Sequence, residues 1–178
     1  MTVKEKSQKA YETLKTKFGY KNVMAAPRLK KVVVSSGTGS GMKKDNKRND
    51  LVADRMAKIT GQKPSLRGAK QSIATFKIRQ GDPVGVTVTL RGPRMYAFLE
   101  KFFNIAIPRT KDFRGYDAKS VDAIGNLTLG IKEHTIFPET ADEDIKDVFG
   151  LAVTIVSSAK TKAEGTAFFE LIGVPFKK

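Results

Sequence analysis

The stretch TFKIRQGDPVGVTVTLRG, residues 75–92, restricts the fold more than any other part of this 178-residue chain. Val86, Val88 and Leu90 alternate with Thr87, Thr89 and Arg91. On the other side of a turn, Ala74, Phe76 and Ile78 alternate with Thr75, Lys77 and Arg79. A period of two places successive side chains on opposite faces of a strand. The spacing predicts a hairpin with an apolar inner face that includes Phe76 and a polar or basic outer face. That is the pattern of an antiparallel sheet with one side in water. Its tip, 77–84, carries Lys77, Arg79, Gln80, Gly81, Asp82 and Pro83, turn-forming and charged residues that make no core.

The partner of such a face is indicated by charge. Lys and Arg number 33 against 18 Asp and Glu, a net of +15. Residues 1–114 hold 26 basic and 8 acidic residues, whereas 115–178 hold 7 and 10. The cations are interspersed among apolar residues, so they belong to a folded surface rather than a tail. A body of this kind attracts a polyanion and releases its counterions. No run of about 18 apolar residues exists to span a membrane, and no basic helix carries a broad aromatic face toward one. The chain has no Cys, which excludes disulfides and thiolate metal sites. Its first twenty residues lack an apolar leader core, so no secretory signal is expected.

The remaining elements fit one domain, 1–178. Val3, Ala10, Tyr11, Leu14 and Phe18 recur at helical spacing before Gly19, predicting one helix over 3–18. RLKKVVVSSG (28–37) is β-branched and predicts a strand. NDLVADRMAKITG (49–61) predicts a helix capped by Asn49 or Asp50 and ended by Gly61. GPRMYAFLEKFFNIAIP (92–108) predicts the strongest helix, with Pro93 in its first turn, Pro108 at its end, and Met95, Phe98, Leu99, Phe102 and Ile105 facing the core. A long loop follows over 108–126, and connections of this length are commonly functional. LTLGI and HTIF are short strand candidates, closed by Pro138. LAVTIVSSA (151–159) is a buried strand, and Thr161 with Glu164 forms a capping box for a last helix packing Ala167, Phe168, Leu171 and Ile172. The sum is an α+β fold, a mostly antiparallel sheet with helices packed on one face.

Catalytic motifs are weak. SSGTGSG has glycines at 37, 39 and 41, but Met42 stands where a dinucleotide fingerprint needs its third glycine, and no Lys-Ser or Lys-Thr pair completes a P-loop. A turn between strand and helix is the better reading. His134 is the only histidine, so a His-rich metal site cannot form; a non-catalytic His at a strand edge is expected. The acidic cluster Glu139, Asp142, Glu143, Asp144 and Asp147 lacks the glycine of a calcium loop. It suits a solvated helix start or a basic protein partner. No enzyme, cofactor or metal is expected. Gln62, Lys63, Arg67 and Lys70 precede the hairpin, and Thr87, Thr89 and Arg91 lie on its wet face. Arg forks onto phosphates, while Gln and Thr reach sugars and base edges. With few aromatics on that face, folded RNA fits better than splayed single strands.

The motifs KFGYKNVM, PRLKKVVV, ITGQKP, FKIRQGDPVGVTVTLRGPRMYAFLEK, IPRTKDFRG, LGIKEHTIFPE and TIVSSAKT follow one another in this order. Through them the chain resembles, over essentially its whole length, the bacterial form of the universal large-subunit ribosomal protein five family. The resemblance implies a fold similar to an RNA-recognition domain and a structural, ribosome-bound, cytoplasmic protein. It implies binding to 5S rRNA, which it links to large-subunit rRNA in the central protuberance among neighbouring large-subunit proteins. The residues implied for 5S rRNA are Asn22, Arg28, Ser35, Ser36, Gln62, Lys63, Arg67, Lys70, Thr89 and Arg91. Where the family usually carries Asn and a larger residue, this chain has Ser35 and Ser36, which keep a donor and acceptor on a shorter arm. The tip, Lys77 to Pro83, is implied to reach the peptidyl-site tRNA, with Asp82 replacing a bulky residue. A bridge to a small-subunit head protein is implied for Arg109, Lys111, Asp112, Arg114, Glu139, Asp142, Glu143 and Asp144. Ile124 and Leu127 stand where the family tends to have Arg and an aromatic residue. A free RNA chaperone or regulatory RNA binder on the same fold is the alternative.

Overall fold

The computed structural model describes residues 1–39, 47–111, 113–141 and 147–177. Its strands are β1 (Leu29–Gly37), β2 (Ser65–Gly68), β3 (Pro83–Leu90), β4 (Leu127–Ile131) and β5 (Leu151–Ser157). They form one antiparallel sheet in the order β2-β3-β1-β5-β4. The α-helices are α1 (Val3–Gln8), α2 (Ala10–Phe18), α3 (Arg48–Thr60), α4 (Gly92–Lys101) and α5 (Lys162–Ile172). The α+β class expected from the patterning is the one observed. The chain divides into two compact units: Met1–Val32, Leu90–Leu129 and Val153–Lys178 form the first, and Val33–Thr89 and Gly130–Ala152 the second.

In the first unit the predicted helix over 3–18 is broken by a single tight residue, Lys9, into α1 and α2. The apolar stripe survives the break, and Val3, Ala10 and Leu14 are buried. A full capping box opens α1: the Thr2 hydroxyl accepts from the Glu5 amide at 3.2 Å and the Glu5 carboxylate accepts from the Thr2 amide at 3.1 Å. α1 packs against α4 and α5, and α2 against α5. Phe98, Phe102, Phe168 and Phe169 fill the space, each contributing about 2–3 kcal/mol by burial.

α4 does not run to Pro108. It passes at Phe102–Ala106 into a π-turn and then into a 3-10 turn, Ile107–Arg109, that contains the proline. The wider π-turn takes more residues per revolution and slips the helical register. Ile105, expected in the core, is therefore 44% exposed, and Ala106 and Ile107 are buried instead.

α5 is capped by Thr161, whose hydroxyl accepts from the Glu164 amide. The Glu164 carboxylate reaches one residue further back than a capping box requires, to the Lys160 amide at 2.7 Å. Its other oxygen accepts from the Tyr20 hydroxyl, joining the end of α2 to the start of α5. Burial, reinforced by this carboxylate, raises the Tyr20 phenol well above its ordinary value.

In the second unit α3 has Lys47, not Asn49 or Asp50, at its N-cap position, and no side chain caps it. Asn49 lies inside the helix, 5% exposed, and its amide Nδ2 donates to the Pro83 carbonyl at 3.0 Å. HTIF is not a strand. His134–Ile136 is a 3-10 turn, and Pro138 opens another, Pro138–Thr140, rather than closing the segment. His134 is fully buried, not at an edge. Its ring stacks on Phe149 at 4.0 Å and its Nδ1 accepts from the Phe149 amide at 3.3 Å.

Candidate nucleic-acid interface

The hairpin that frames the interface is built differently from its sequence pattern. The arm paired with β3 is β2, with Ser65 opposite Thr87, Leu66 opposite Val86, Arg67 opposite Gly85 and Gly68 opposite Pro83. The register skips Val84, an irregularity between Arg67 and Gly68. Beyond it the chains stay paired: the Ala69 amide donates to the Asp82 carbonyl at 2.8 Å and the Gly81 amide to the Ala69 carbonyl at 3.0 Å. A Cβ on Gly68 would stand 3.0 Å from the Gly81 carbonyl oxygen, so a side chain there would press on the facing backbone and push it back by a few tenths of an ångström.

The segment assigned to the first arm is instead a turn at the end of the finger. Ala74–Phe76 is a 3-10 turn, and Lys77 has φ 53, a left-handed conformation that no strand tolerates. Phe76 is 57% exposed and is not a core residue. The second arm follows the expected alternation: Val86, Val88 and Leu90 are buried, and Thr87 and Thr89 are half-exposed.

Residues directly opposite each other in a sheet share a face. Ser65 and Arg67 therefore lie on the wet side with Thr87 and Thr89. Ser35 alternates with buried Val34 and Ser36 on β1 and takes the same side. Gln62 donates from Nε2 to the Thr89 carbonyl at 3.2 Å, which fixes the amide beside this face. Lys63 and Lys70 are exposed in the adjoining connections. Ser36 points the other way: it is 5% exposed and its hydroxyl donates to the Gly150 carbonyl at 2.7 Å.

On the finger, Lys77, Arg79, Gln80 and Gly81 are exposed, while Pro83 belongs to the start of β3. Asp82 is half-buried and has a structural role. Its Oδ2 accepts from the Arg79 amide at 2.8 Å, and its own amide donates to the Arg79 carbonyl at 3.1 Å. Ser72, which the sequence pattern does not single out, accepts from the Gln80 amide at 2.9 Å. Short polar side chains bonding nearby backbone are the usual signal for such a brace.

In the first unit Asn22 caps the 3-10 turn Val23–Ala25 through the Met24 amide, at 3.0 Å. The Arg28 amide donates to the Ser158 hydroxyl and its carbonyl accepts from the Ser158 amide, both at 2.9 Å, and its guanidinium extends to the Met24 thioether at 3.8 Å. Arg91 is exposed and extended at the entrance to α4. Thr128 and Thr154 form a 3.2 Å hydroxyl pair between β4 and β5, at positions that alternate with buried residues as Thr87 and Thr89 do. Arg109, Lys111 and Arg114 are exposed. The loop they occupy is tied to the chain's end: the Tyr116 amide donates to the Pro175 carbonyl and the Lys177 amide to the Tyr116 carbonyl, both at 2.8 Å. Glu139, in the second unit, is exposed. Asp112, Asp142, Glu143 and Asp144, like Gly41 and Met42 of the glycine-rich stretch, lie outside the described residues.

An antiparallel sheet with a wet threonine- and arginine-bearing face, on a chain of net charge +15, defines a class: a polyanion-facing α+β protein. Comparison with known proteins resolves the class. A sequence model for the C-terminus of the ribosomal protein L5 family matches residues 83–176, and one described as ribosomal protein L5 matches residues 22–79. The large ribosomal subunit protein uL5 of Halothermothrix orenii is 49% identical over 165 residues, covering 93% of this chain and 92% of its own. Its counterpart from Thermoanaerobacter sp. is 47% identical over 177 residues, 99% and 98% of the two chains. That from Desulfatibacillum aliphaticivorans is 48% identical over 165 residues, 93% and 92%. The chain belongs to the ribosomal protein L5 family. Members are structural, non-enzymatic constituents of the large ribosomal subunit, a ribonucleoprotein of translation, and rRNA binding follows from that membership. No described helix is long and apolar enough to cross a membrane.

Proposed function

We propose that this chain binds 5S rRNA through the wet face of its sheet and links it to large-subunit rRNA in the central protuberance. The observation that carries the reading is the β2–β3 register, which brings Arg67 onto the side of Thr87 and Thr89 while Gln62 is held against Thr89. A fork-shaped cation, an amide and hydroxyls on one surface suit a folded RNA's phosphates, sugars and base edges. Asn22, Arg28 and Arg91 serve the same RNA from the first unit. The finger, with Lys77, Arg79, Gln80 and Gly81 outermost, touches the peptidyl-site tRNA. Arg109, Lys111, Arg114 and the acidic segment at Glu139 meet a small-subunit head protein, and neighbouring large-subunit proteins complete the cytoplasmic, ribosome-bound setting.

Equilibrium binding to 5S rRNA across a salt series tests this. Affinity falls steeply with salt, with a log–log slope of roughly −0.7 to −0.9 per phosphate neutralised. Gln62→Ala with Thr89→Ala weakens binding about tenfold, the sum of two modest hydrogen-bond losses. Lys77→Ala with Arg79→Ala leaves it nearly intact and changes tRNA contact on the ribosome. Binding no tighter than to an unrelated RNA of equal length sinks the proposal. Sedimentation of most of the protein away from large subunits would favour a free RNA chaperone instead.

A further inference from the structure

The stretch between α2 and β1, residues 19–28, carries Asn22 and Arg28 to the surface as an arch. Residues 21–25 are exposed. Among the described residues the hydrogen bonds of 22–25 are local. The Asn22 side chain accepts from the Met24 amide, its carbonyl accepts from the Ala25 amide at 3.0 Å, and the Val23 carbonyl accepts from the Ala26 amide at 3.3 Å. Such bonds shape the arch but do not place it on the fold.

Placement comes from its two ends. At one, the Tyr20 hydroxyl donates to the Glu164 carboxylate. At the other, the Arg28 amide donates to the Ser158 hydroxyl at 2.9 Å. Both anchors belong to one short stretch, 158–164, that leads from β5 into the first turn of α5. That stretch is itself held. The Ser157 hydroxyl donates to the Gly125 carbonyl at 2.7 Å and accepts from the Ala159 amide at 3.1 Å, and the Lys160 amide donates to Glu164 at 2.7 Å. Glu164 is 7% exposed and both of its oxygens are bonded, so it acts on a partner only through what it holds. An arch pinned at both ends has less conformational freedom to lose when its side chains meet a partner.

We propose that Tyr20, Glu164 and Ser158 are positioning residues for RNA binding: they touch no RNA, and they set the place from which Asn22 and Arg28 reach it. This rests on the reading of Asn22 and Arg28 as 5S rRNA contacts.

The test is equilibrium binding of the full chain to 5S rRNA, with hydroxyl-radical footprints of the RNA. The variants are Tyr20→Phe and Ser158→Ala, each alone and each added to Asn22→Ala with Arg28→Ala. Phenylalanine keeps the ring that stacks on Phe18 at 6.0 Å and removes only the hydroxyl. Each single variant is expected to bind about fivefold more weakly, the scale of one lost hydrogen bond. Each should expose the riboses that the double-alanine variant exposes, and cost nothing further in that background, because residues that act through one another are not additive. Losses that add in that background, or protection lost evenly over the whole footprint, mark a merely structural role and overturn the proposal. Unchanged affinity in both single variants, beside a loss in the double-alanine variant, overturns it and leaves the Asn22 and Arg28 contacts standing. A double-alanine variant that binds as tightly as the unaltered chain brings down both the proposal and the reading beneath it.

Discussion

The finger above β2 and β3 and the long connection between α4 and β4 are both polar, irregular segments held out from a packed unit, and they are kept in shape by different means. The finger is fastened from within. Ser72, Asp82 and the Ile73–Ile78 pair bond to residues at most eight positions away. The other segment has local fastenings in its second half, where Asp117 accepts from the Lys119 amide and Asp122 accepts from the amides of Ile124 and Asn126 and from the Asn126 side chain. Its middle is held by the chain's last residues, which run parallel to Tyr116. A segment braced by neighbours keeps its shape if distant parts of the fold loosen; one strapped from afar does not.

Three measurements can break or sharpen this contrast. The largest effect belongs to Gly115→Ala. Gly115 has φ 91, and a Cβ there would lie 2.9 Å from the Lys177 nitrogen and 3.0 Å from the Phe176 carbonyl carbon. Denaturant unfolding should show a loss of about 2–4 kcal/mol from strain and the broken strap. The Tyr116 and Lys177 amides should exchange faster. A loss below about 0.5 kcal/mol would mean that the strap does not hold the loop. Asp82→Ala should be smaller, about 0.5–1.5 kcal/mol, because one exposed brace is lost. Faster exchange should be confined to Arg79 and its neighbours; spread through β3 would show that the finger is not self-contained.

The smallest effect is a pH dependence. Burial alone would raise the Asp122 carboxyl, but hydrogen bonds from Asn126, Ile124 and Gly125 outweigh it and hold it below the ordinary carboxylate range. The folded pKa is therefore depressed. Its stabilising contribution is present above the unfolded value near ~3.9 and lost as pH falls through the folded one. An Asp122→Asn variant should flatten that part of the acid limb. An unchanged limb would remove Asp122 from the account of how this loop is held.

What the chain discloses in advance follows the same division. The β3 alternation was legible because Val86, Val88 and Leu90 keep one period over a whole strand. The arm beside it was not. Ala74, Phe76 and Ile78 keep that period too, but the left-handed Lys77 turns the backbone. The true partner, Ser65–Gly68, is four exposed residues with one apolar member, too short for a pattern. The helix ending at Pro108 misled because a π-turn shifts register without changing composition. The strap on Tyr116 pairs residues far apart in sequence, and no local motif announces it. Of the interface, Thr89 could be placed on the hairpin but Arg67 only in the connection before it, because their common face depends on a register that only the folded backbone supplies.

The sheet order also bears on what a copy of this chain does before it meets any RNA. One border of the sheet is β2, and an open border is where chains add to one another. Here that border is only four residues long, carries the charge of Arg67, and is disturbed by the skipped Val84 just before Gly68. A second copy approaching it finds little ladder to extend and a like charge in the way. The same arginine that we propose for RNA binding thus discourages self-association while the RNA is absent.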